Sequence, residues 1–217
     1  MTQKGKEMMV WGVLLVGLAA IVLGMYAAVT TPGKQAENAT LQTPVSANDW
    51  KLGPDDAKVV LVEYSDLQCP ACKYYQDNIL KPIEAAYGDK IQVVYRHYPL
   101  SQHIHSKEAA IAAEAAGKQG KFWQMHDLLF ATQDAWATST NVIPLFVGYV
   151  QKMGVDVGRF EQDMQSNDLA SKIERSIEDG NAQGIQGTPT FFLNGKAIQS
   201  PRSLDEFKQV IDAALNK

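Results

Sequence analysis

The chain has 217 residues, 46% of them hydrophobic and 20% charged, a balance that excludes a disordered polymer and a collagen-like fibre. Lys and Arg total 20 against 24 Asp and Glu, so the net charge is −4 and no basic surplus favours a nucleic-acid partner. Only two cysteines are present, which excludes a scaffold built on several disulfides.

The first feature along the chain is an apolar stretch over residues 8–29 that carries no charged side chain. It is long enough for a helix that crosses a bilayer, which needs roughly 20 residues. A cleaved signal peptide, whose apolar region spans about 7–15 residues, and a buried core helix are the alternatives. Lys4 and Lys6 precede the stretch, and positive charge stays on the cytoplasmic side. The pattern predicts a cytoplasmic N-terminus (residues 1–7), one transmembrane anchor and an extracytoplasmic remainder.

A polar segment with two prolines follows over residues 30–49 and shows no apolar periodicity. This composition predicts a flexible linker. The globular domain is then expected to occupy residues 50–217, and no internal repeat is visible within it.

The first part of the globular domain has the pattern strand, helix, strand. Residues 58–64 form a β-branched run of strand length, and residues 91–96 form a second one. Apolar residues recur with helical spacing between 73 and 87, and Pro82 is expected to kink that helix because proline removes one backbone donor. Two strands joined by a helix over this distance favour parallel pairing.

The middle of the domain is predicted to be helical. Residues 101–183 contain about four helical patterns and no strand pattern. His126 lies on one of these helices, within an apolar stripe. That setting indicates a packed or surface histidine rather than a ligand.

Strand patterns return at the end of the chain. Residues 190–193 and 196–199 lie on either side of Asn194 and Gly195, a pair that strongly favours a tight hairpin. Ser203 begins the capping pattern of a final amphipathic helix.

The two cysteines, Cys69 and Cys72, are separated by Pro70 and Ala71 at the predicted start of the helix. Unpaired N–H groups and the positive end of the helix dipole at such a position stabilise a thiolate on the first sulfur. Pro70 suits the first turn, where its missing N–H would have no partner. The second sulfur lies one turn along, so the pair can cycle between dithiol and disulfide.

Three other interpretations of the cysteine pair compete with redox chemistry. A structural disulfide across two residues would constrain little of the unfolded chain. A zinc site would need further ligands, for which His103 and His105 are the candidates, since the chain has no second CxxC. The cysteines could also be unrelated. A CxxC between the strand and helix of a βαβ unit favours redox chemistry over all three.

Glu63 interrupts the apolar strand that precedes the cysteines. A carboxyl group in a buried strand is costly unless it is paired or functional. Burial would raise its pKa and allow it to exchange a proton with Cys72. A surface-facing strand residue is the alternative.

Thr188 and Pro189 stand just before the terminal hairpin. A proline at the start of a strand suits a cis peptide bond, which would expose the Thr188 backbone to an added peptide strand. An ordinary turn proline is the alternative.

These motifs together resemble the DsbA-like branch of the thioredoxin superfamily. The resemblance covers roughly residues 55–215 and rests on EYSDLQCPACK, on YRHYPL, on GTPTFFLNG and on the helical stretch between the last two. It implies an α/β thioredoxin fold with a helical subdomain inserted at about 101–183, preceded here by the transmembrane helix. It also implies Cys69 as the attacking cysteine, Cys72 as the resolving cysteine, Pro189 as the cis-proline and Glu63 as the buried acid.

The resemblance implies a membrane-anchored, extracytoplasmic thiol–disulfide oxidoreductase that oxidises cysteine pairs of secreted proteins. Its partners would be reduced or unfolded secreted proteins and a membrane quinone reductase of the DsbB or VKOR type, which regenerates the disulfide. We expect no cofactor, no metal, no nucleic acid and a monomer. A reductase or isomerase of the same fold and a non-catalytic peptide-binding or chaperone module are the alternatives.

Overall fold

The computed structural model describes residues 39–217. The predicted cytoplasmic N-terminus (1–7) and transmembrane anchor (8–29) lie outside the described residues. From residue 39 onward, no helix combines the length and the apolar character that a membrane span requires.

A mixed five-stranded sheet forms the centre of the described domain, with the strand order β1-β3-β2-β4-β5. The strands are β1 (Trp50–Leu52), β2 (Val59–Ser65), β3 (Ile91–His97), β4 (Thr190–Leu193) and β5 (Lys196–Ile198). β2 and β3 pair in parallel, as the strand–helix–strand pattern predicts, and the other neighbours are antiparallel. The two central strands are buried along nearly their whole length.

Helices cover both faces of this sheet. They are α1 (Pro70–Tyr75), α2 (Lys81–Tyr87), α3 (Ser106–Gly117), α4 (Phe122–Ala131), α5 (Gln133–Trp136), α6 (Ile143–Lys152), α7 (Val157–Met164), α8 (Asn167–Ala182) and α9 (Leu204–Leu215). Side chains of α2 and α9 pack with β2, β3 and β4 in one apolar cluster. Ile177 of α8 packs against a second cluster, on the opposite face of the same strands.

The helix that follows β2 is divided by a π-helical turn over Gln76–Leu80, between α1 and α2. Pro82 lies in the first turn of α2, just after the π-helical residues. Because proline cannot donate to the carbonyl one turn back, a widened turn in front of it absorbs the misfit. The predicted interruption at Pro82 therefore takes the form of a π-helical turn.

The helical region contains six helical segments between residues 106 and 182, where the sequence patterns predict about four. The two additional segments are α5, which has only four residues, and α7. Asp156 caps α7 by accepting a hydrogen bond from the backbone N–H of Arg159. His126 is buried in this region, so of the two settings predicted for it, packed or at the surface, the structure shows the packed one.

The terminal hairpin follows its sequence pattern closely. Asn194 and Gly195 both have positive φ, 47° and 75°, as a two-residue hairpin turn requires. Ser203 caps α9 by accepting a hydrogen bond from the backbone N–H of Glu206.

The described part of the predicted linker, residues 39–49, is bound to the domain rather than free. We call these residues the N-terminal segment. Leu41 N–H donates to the Gly195 carbonyl at 2.8 Å, and Ala197 N–H donates to the Ala39 carbonyl at 2.8 Å. The predicted start of the domain at residue 50 is therefore too late, because contacts of this segment with distant residues leave no periodic pattern in the sequence.

Arg96 of β3 holds the other end of the N-terminal segment. Its guanidinium donates two hydrogen bonds to the Asp49 carboxylate, at 2.8 and 3.1 Å, and one each to the carbonyls of Thr43 and Pro44, both at 3.0 Å. It also donates to the Tyr64 hydroxyl at 2.8 Å. A buried guanidinium with this many acceptors fixes the segment against the sheet.

A matched pair of glycine variants tests the packing of α8 on the sheet. A Cβ at Gly180 would lie 2.3 Å from the Tyr98 ring, whereas a Cβ at Gly148 in α6 meets nothing within 4 Å. We expect Gly180→Ala to lower the free energy of unfolding by about 1–3 kcal/mol, because the buried ring must move. Gly148→Ala should raise it by about 0.5–1 kcal/mol through helix propensity. Urea unfolding measures both, and equal effects of the two variants would contradict this packing.

Candidate active site

The site forms where the chain leaves β2 and enters α1. Cys69 is the N-cap of α1, with extended backbone angles (φ −73°, ψ 123°), and Pro70 is the first helical residue. The Cys69 N–H donates to the Asp66 carbonyl at 3.0 Å, and the Cys69 carbonyl accepts from the Lys73 N–H at 3.1 Å. The first sulfur is thereby placed at the N-terminus of the helix, as the spacing predicts.

The two sulfurs differ in exposure. Both cysteines are free thiols. Cys69 retains 6% of its surface, whereas Cys72 is fully covered. Pro70 and Ala71, between them, are exposed. A disulfide of an incoming molecule therefore meets Cys69 first, and Cys72 is available only to a group already joined to Cys69.

The surroundings of the two thiols shift their pKa values in opposite directions. The pKa of Cys69 is lowered to about 6, first by the hydrogen bond from the Cys72 thiol and further by the Thr188 hydroxyl and the N–H groups of Ala71 and Cys72, which outweigh burial. Burial raises the pKa of Cys72 well above its usual value, and the nearby Cys69 raises it further. At neutral pH the first sulfur is thus a thiolate and the second is a thiol.

The loop before β4 closes over the first sulfur. The Thr188–Pro189 peptide bond is cis, as predicted, and the Thr188 carbonyl lies 3.6 Å from Cys69 Sγ, within reach of the thiol S–H. The Thr188 hydroxyl has no hydrogen-bond partner among the described residues in this thiol form, and it can donate to the sulfur once Cys69 is ionised. The structure therefore brings the predicted Thr188 and Pro189 to the cysteine pair.

Glu63 lies in the interior next to the cysteine pair. Only 3% of its surface is exposed, and it pairs in register with Tyr95 on β3 and Phe191 on β4. Burial raises the pKa of Glu63 to about 8, against the opposing effect of the Ser65 hydroxyl. The carboxylate of Glu63 in turn raises the pKa of Cys72, which places the two groups in electrostatic contact. The surface-facing alternative for Glu63 is excluded.

A buried aspartate that the sequence analysis did not identify fixes the loop before Cys69. Asp66 Oδ1 accepts from the Gln68 N–H and the Ser106 hydroxyl, both at 2.8 Å. Its Oδ2 accepts from the Leu100 N–H at 2.9 Å and bonds His103 Nδ1 at 2.7 Å. Asp66 thus ties the active-site loop to the start of the helical region. An acidic residue directly after an apolar strand was the signal available in the sequence.

Two glutamines join the same loop to the helical region. Gln133 of α5 donates to the carbonyls of Leu67 at 2.8 Å and Cys69 at 3.1 Å. Gln68 donates to the Ala137 carbonyl at 2.8 Å and accepts from the His105 N–H at 2.7 Å. These bonds run between side chains and distant backbone atoms, so no local sequence pattern reveals them.

The two histidines considered as zinc ligands have other partners. His103 bonds Asp66, and His105 Nε2 donates to the Ser139 carbonyl at 2.7 Å. Within residues 39–217, no group of three or more His, Cys, Asp or Glu side chains is arranged to hold a metal ion.

A dithiol at a helix N-terminus, beside a buried carboxyl group and a cis-proline loop, defines a thioredoxin-like site for thiol–disulfide exchange. The family model described as thioredoxin matches residues 46–213, and the chain therefore belongs to the thioredoxin family.

Solved structures agree with this family assignment. The chain is similar to oxidised BdbD of Bacillus subtilis, with a TM-score of 0.73 and 25% identity over 83% of this chain and 100% of that chain. A variant of alpha-DsbA1 from Wolbachia pipientis gives a TM-score of 0.71 and 25% identity, over 81% and 94% of the two chains. The thiol-disulfide exchange protein alpha-DsbA2 of the same organism, at 20% identity and a TM-score of 0.65 over 77% and 88%, shares the fold. All three similarities agree with the thioredoxin fold described above, and two of them are to proteins named alpha-DsbA.

Curated relatives with higher identity carry a different name. The Na(+)/H(+) antiporter NhaA 3 of Salinispora tropica is 32% identical over 176 residues, and NhaA of Herminiimonas arsenicoxydans is 34% identical over 175. Each match covers 80% of this chain but only 26% and 27% of the relative. The chain spans about a quarter of the length of these relatives.

The contrast between the two thiols predicts selective alkylation of the reduced protein. Iodoacetamide reacts with thiolates, so the rate at Cys69 should rise with pH and reach half its maximum near pH 6, the pKa to which Cys69 is lowered. Cys72 should stay unmodified in the native state. Peptide mass mapping of the alkylated protein assigns the site, with Cys69→Ser as the control. A half-maximum near pH 9, or modification of Cys72 before Cys69, would contradict the geometry.

Proposed function

We propose that the protein oxidises cysteine pairs in secreted proteins through the Cys69–Cys72 disulfide, on the outer side of a membrane. The observation that carries this proposal is the lowered pKa of Cys69, about 6. A sulfur with a low pKa is a good leaving group, which favours passing the disulfide to a reduced substrate.

The reaction consists of two exchanges. A substrate thiolate attacks Cys69 Sγ of the oxidised protein, the Cys69–Cys72 bond breaks, and Cys72 leaves with the electron pair. A second substrate thiolate then attacks the substrate sulfur that is joined to Cys69, and Cys69 leaves as a thiolate. The substrate loses two electrons and the protein gains them. One proton is taken up by Cys72, and the other passes to solvent.

Glu63 supplies the proton for the first exchange. Its pKa of about 8 keeps the carboxyl group largely protonated at neutral pH, so it can donate when Cys72 leaves as a buried thiolate. In the reverse direction, when Cys72 must attack, the Glu63 carboxylate accepts the proton again.

The substrates in this proposal are extended segments of reduced or unfolded secreted proteins. Thr188 presents its backbone beside Cys69, where a peptide could pair with it as an added strand. The resemblance to the DsbA-like branch supports a membrane quinone reductase of the DsbB or VKOR type as the partner that reoxidises the pair. The proposal requires no cofactor and a single copy of the chain.

A reductase or isomerase of the same fold is the second candidate, and Ala71 is the observation that favours it. Ala71 offers no side-chain donor to the Cys69 sulfur. The attacking cysteine has a pKa of about 7 in thioredoxin and of about 3.5 in the strong oxidant DsbA, and the pKa of Cys69, about 6, lies between these two values. The antiporter relatives do not extend the proposal to ion transport, because each match covers about a quarter of the relative.

The reduction potential separates the two candidates. We expect equilibration with glutathione to give a value more oxidising than about −270 mV, that of thioredoxin. The domain should also introduce disulfides into a reduced model protein. Cys72→Ser should accumulate mixed disulfides through Cys69, and Cys69→Ser should form none. A potential at or below the thioredoxin value would assign the protein as a reductase.

The membrane location has its own test. If residues 8–29 anchor the chain with its N-terminus in the cytoplasm, protease added to intact spheroplasts should degrade the domain. A cytoplasmic marker protein should survive the same treatment, which shows that the membrane is intact. Protection of the domain, or its recovery in the soluble cytoplasmic fraction, would overturn the proposed location.

A further inference from the structure

Two buried hydroxyl groups, those of Ser65 and Tyr95, lie in the interior near the cysteine pair. Ser65 follows Glu63 by two residues on β2, and Tyr95 is the register partner of Glu63 on β3. Both residues are buried, at 0% and 2% exposure. Neither Ser65 Oγ nor the Tyr95 hydroxyl has a hydrogen-bond partner among the residues that the structure describes.

Strand geometry places these hydroxyls beside the reacting groups. Residues two apart on a strand point to the same side of the sheet, so Glu63 and Ser65 share one face. Tyr95 shares an apolar cluster with Cys69 and Cys72, which identifies that face as the one under the cysteine pair. The Ser65 hydroxyl lies close enough to lower the pKa of three neighbouring groups, the Glu63 carboxyl group, the Cys72 thiol and the Tyr95 phenol.

The Tyr95 ring is held in place by its neighbours. Its centroid lies 4.7 Å from that of His126, 5.0 Å from His97 and 5.8 Å from Phe122, in edge or tilted contacts. A ring packed on these sides cannot turn its hydroxyl toward solvent without disrupting the core.

Buried hydroxyls in native proteins are nearly always hydrogen-bonded, either to protein groups or to an enclosed water molecule. Ser65 and Tyr95 share their interior with one carboxyl group and one thiol that must exchange a proton. A hydroxyl can donate and accept at once, so it can join two such groups or hold a water between them.

We propose that the hydroxyls of Ser65 and Tyr95 position the proton that passes between the Glu63 carboxyl group and the Cys72 sulfur, directly or through a bound water. The proposal rests on the proposed thiol–disulfide exchange and makes Ser65 and Tyr95 positioning residues. When an attacking thiolate forms a bond to Cys69 Sγ, the Cys69–Cys72 bond breaks and its electron pair goes to Cys72. The proton then moves from Glu63 to Cys72, and solvent returns a proton to Glu63.

Several other titratable groups lie near Glu63 or Tyr95. They come from the active-site turn, from the neighbouring helices and from β3: Asp66, Cys69, Glu84, His97 and His126. The test therefore compares variants over the full pH range rather than at one pH.

The experiment follows reduction of the oxidised full chain by dithiothreitol, with each rate corrected for the dithiothreitol thiolate fraction. In the parent, the corrected rate should fall as the pH rises through the pKa of Glu63, because Glu63 then has no proton to donate. Tyr95→Phe should lower the rate about 10-fold at low pH and make the rate less dependent on pH. This loss is smaller than the rate factor of about 10²–10⁴ that a complete general acid contributes, because Glu63 itself remains. Ser65→Ala, a smaller change, should act in the same direction.

The matched control is Tyr98→Phe. Tyr98 is also buried, but it packs with the cluster on the opposite sheet face, and its hydroxyl bonds Asn181 at 2.7 Å and the Ile185 carbonyl at 3.1 Å. This variant should lose stability while keeping the parental rate and pH profile. In a Glu63→Gln background, Tyr95→Phe should slow the reaction no further.

Two outcomes would overturn the proposal. One is that Ser65→Ala and Tyr95→Phe both fold and their reduction rates depend on pH just as the rate of the parent does. The other is a loss from Tyr95→Phe that is equally large with and without Glu63, since that would be a structural effect. Dithiothreitol replaces the physiological substrate, so a parent that reacts with it but does not oxidise proteins would refute the proposed function alone.

Discussion

Two sulfur atoms one helical turn apart experience opposite surroundings, and the rest of the site depends on that contrast. Cys69 lies at the end of α1, where backbone N–H groups converge, and Cys72 lies inside the core. The helix alone cannot create the difference, because it supplies only the donors at its N-terminus. The interior supplies the rest: Cys72 packs in an apolar cluster that joins Tyr95 of β3 to side chains of the helical region, and Glu63 of β2 is buried in register with Tyr95.

The helical region acts on the chemistry through backbone anchoring rather than through reacting groups. Asp66 and Gln133 bind the turn before Cys69 from two directions, one from the strand end and one from α5. A turn held at both its N–H and carbonyl groups keeps the N-terminus of α1 aimed at the incoming sulfur. The helical region therefore helps to fix the backbone next to the site.

The sequence was sufficient to predict the parallel β2–β3 unit and the hairpin at Asn194, because each has a local pattern of spacing or turn chemistry. The grouping of Cys69 with Pro189 followed from the resemblance to the DsbA-like branch. The sequence did not reveal β1, which has only three residues, or the additional helices of the middle region. The role of Asp66 was not predicted, for a different reason. Its importance comes from three hydrogen bonds to groups distant in the chain, those of Leu100, His103 and Ser106, and such bonds leave no periodicity in the sequence.

The N-terminal segment has a mechanical consequence for the sheet. β5 is an outer strand, and residues 39–41 occupy its free hydrogen-bonding side on both sides of Lys196. An uncovered strand edge is a template to which another extended chain can add. The N-terminal segment that covers this edge also connects the domain to the residues before it in the chain. A pulling force applied before residue 39 would therefore break the contacts of residues 39–41 with β5 first. The edge of β5 would be exposed, while the cysteine pair, on another part of the domain, would keep its structure.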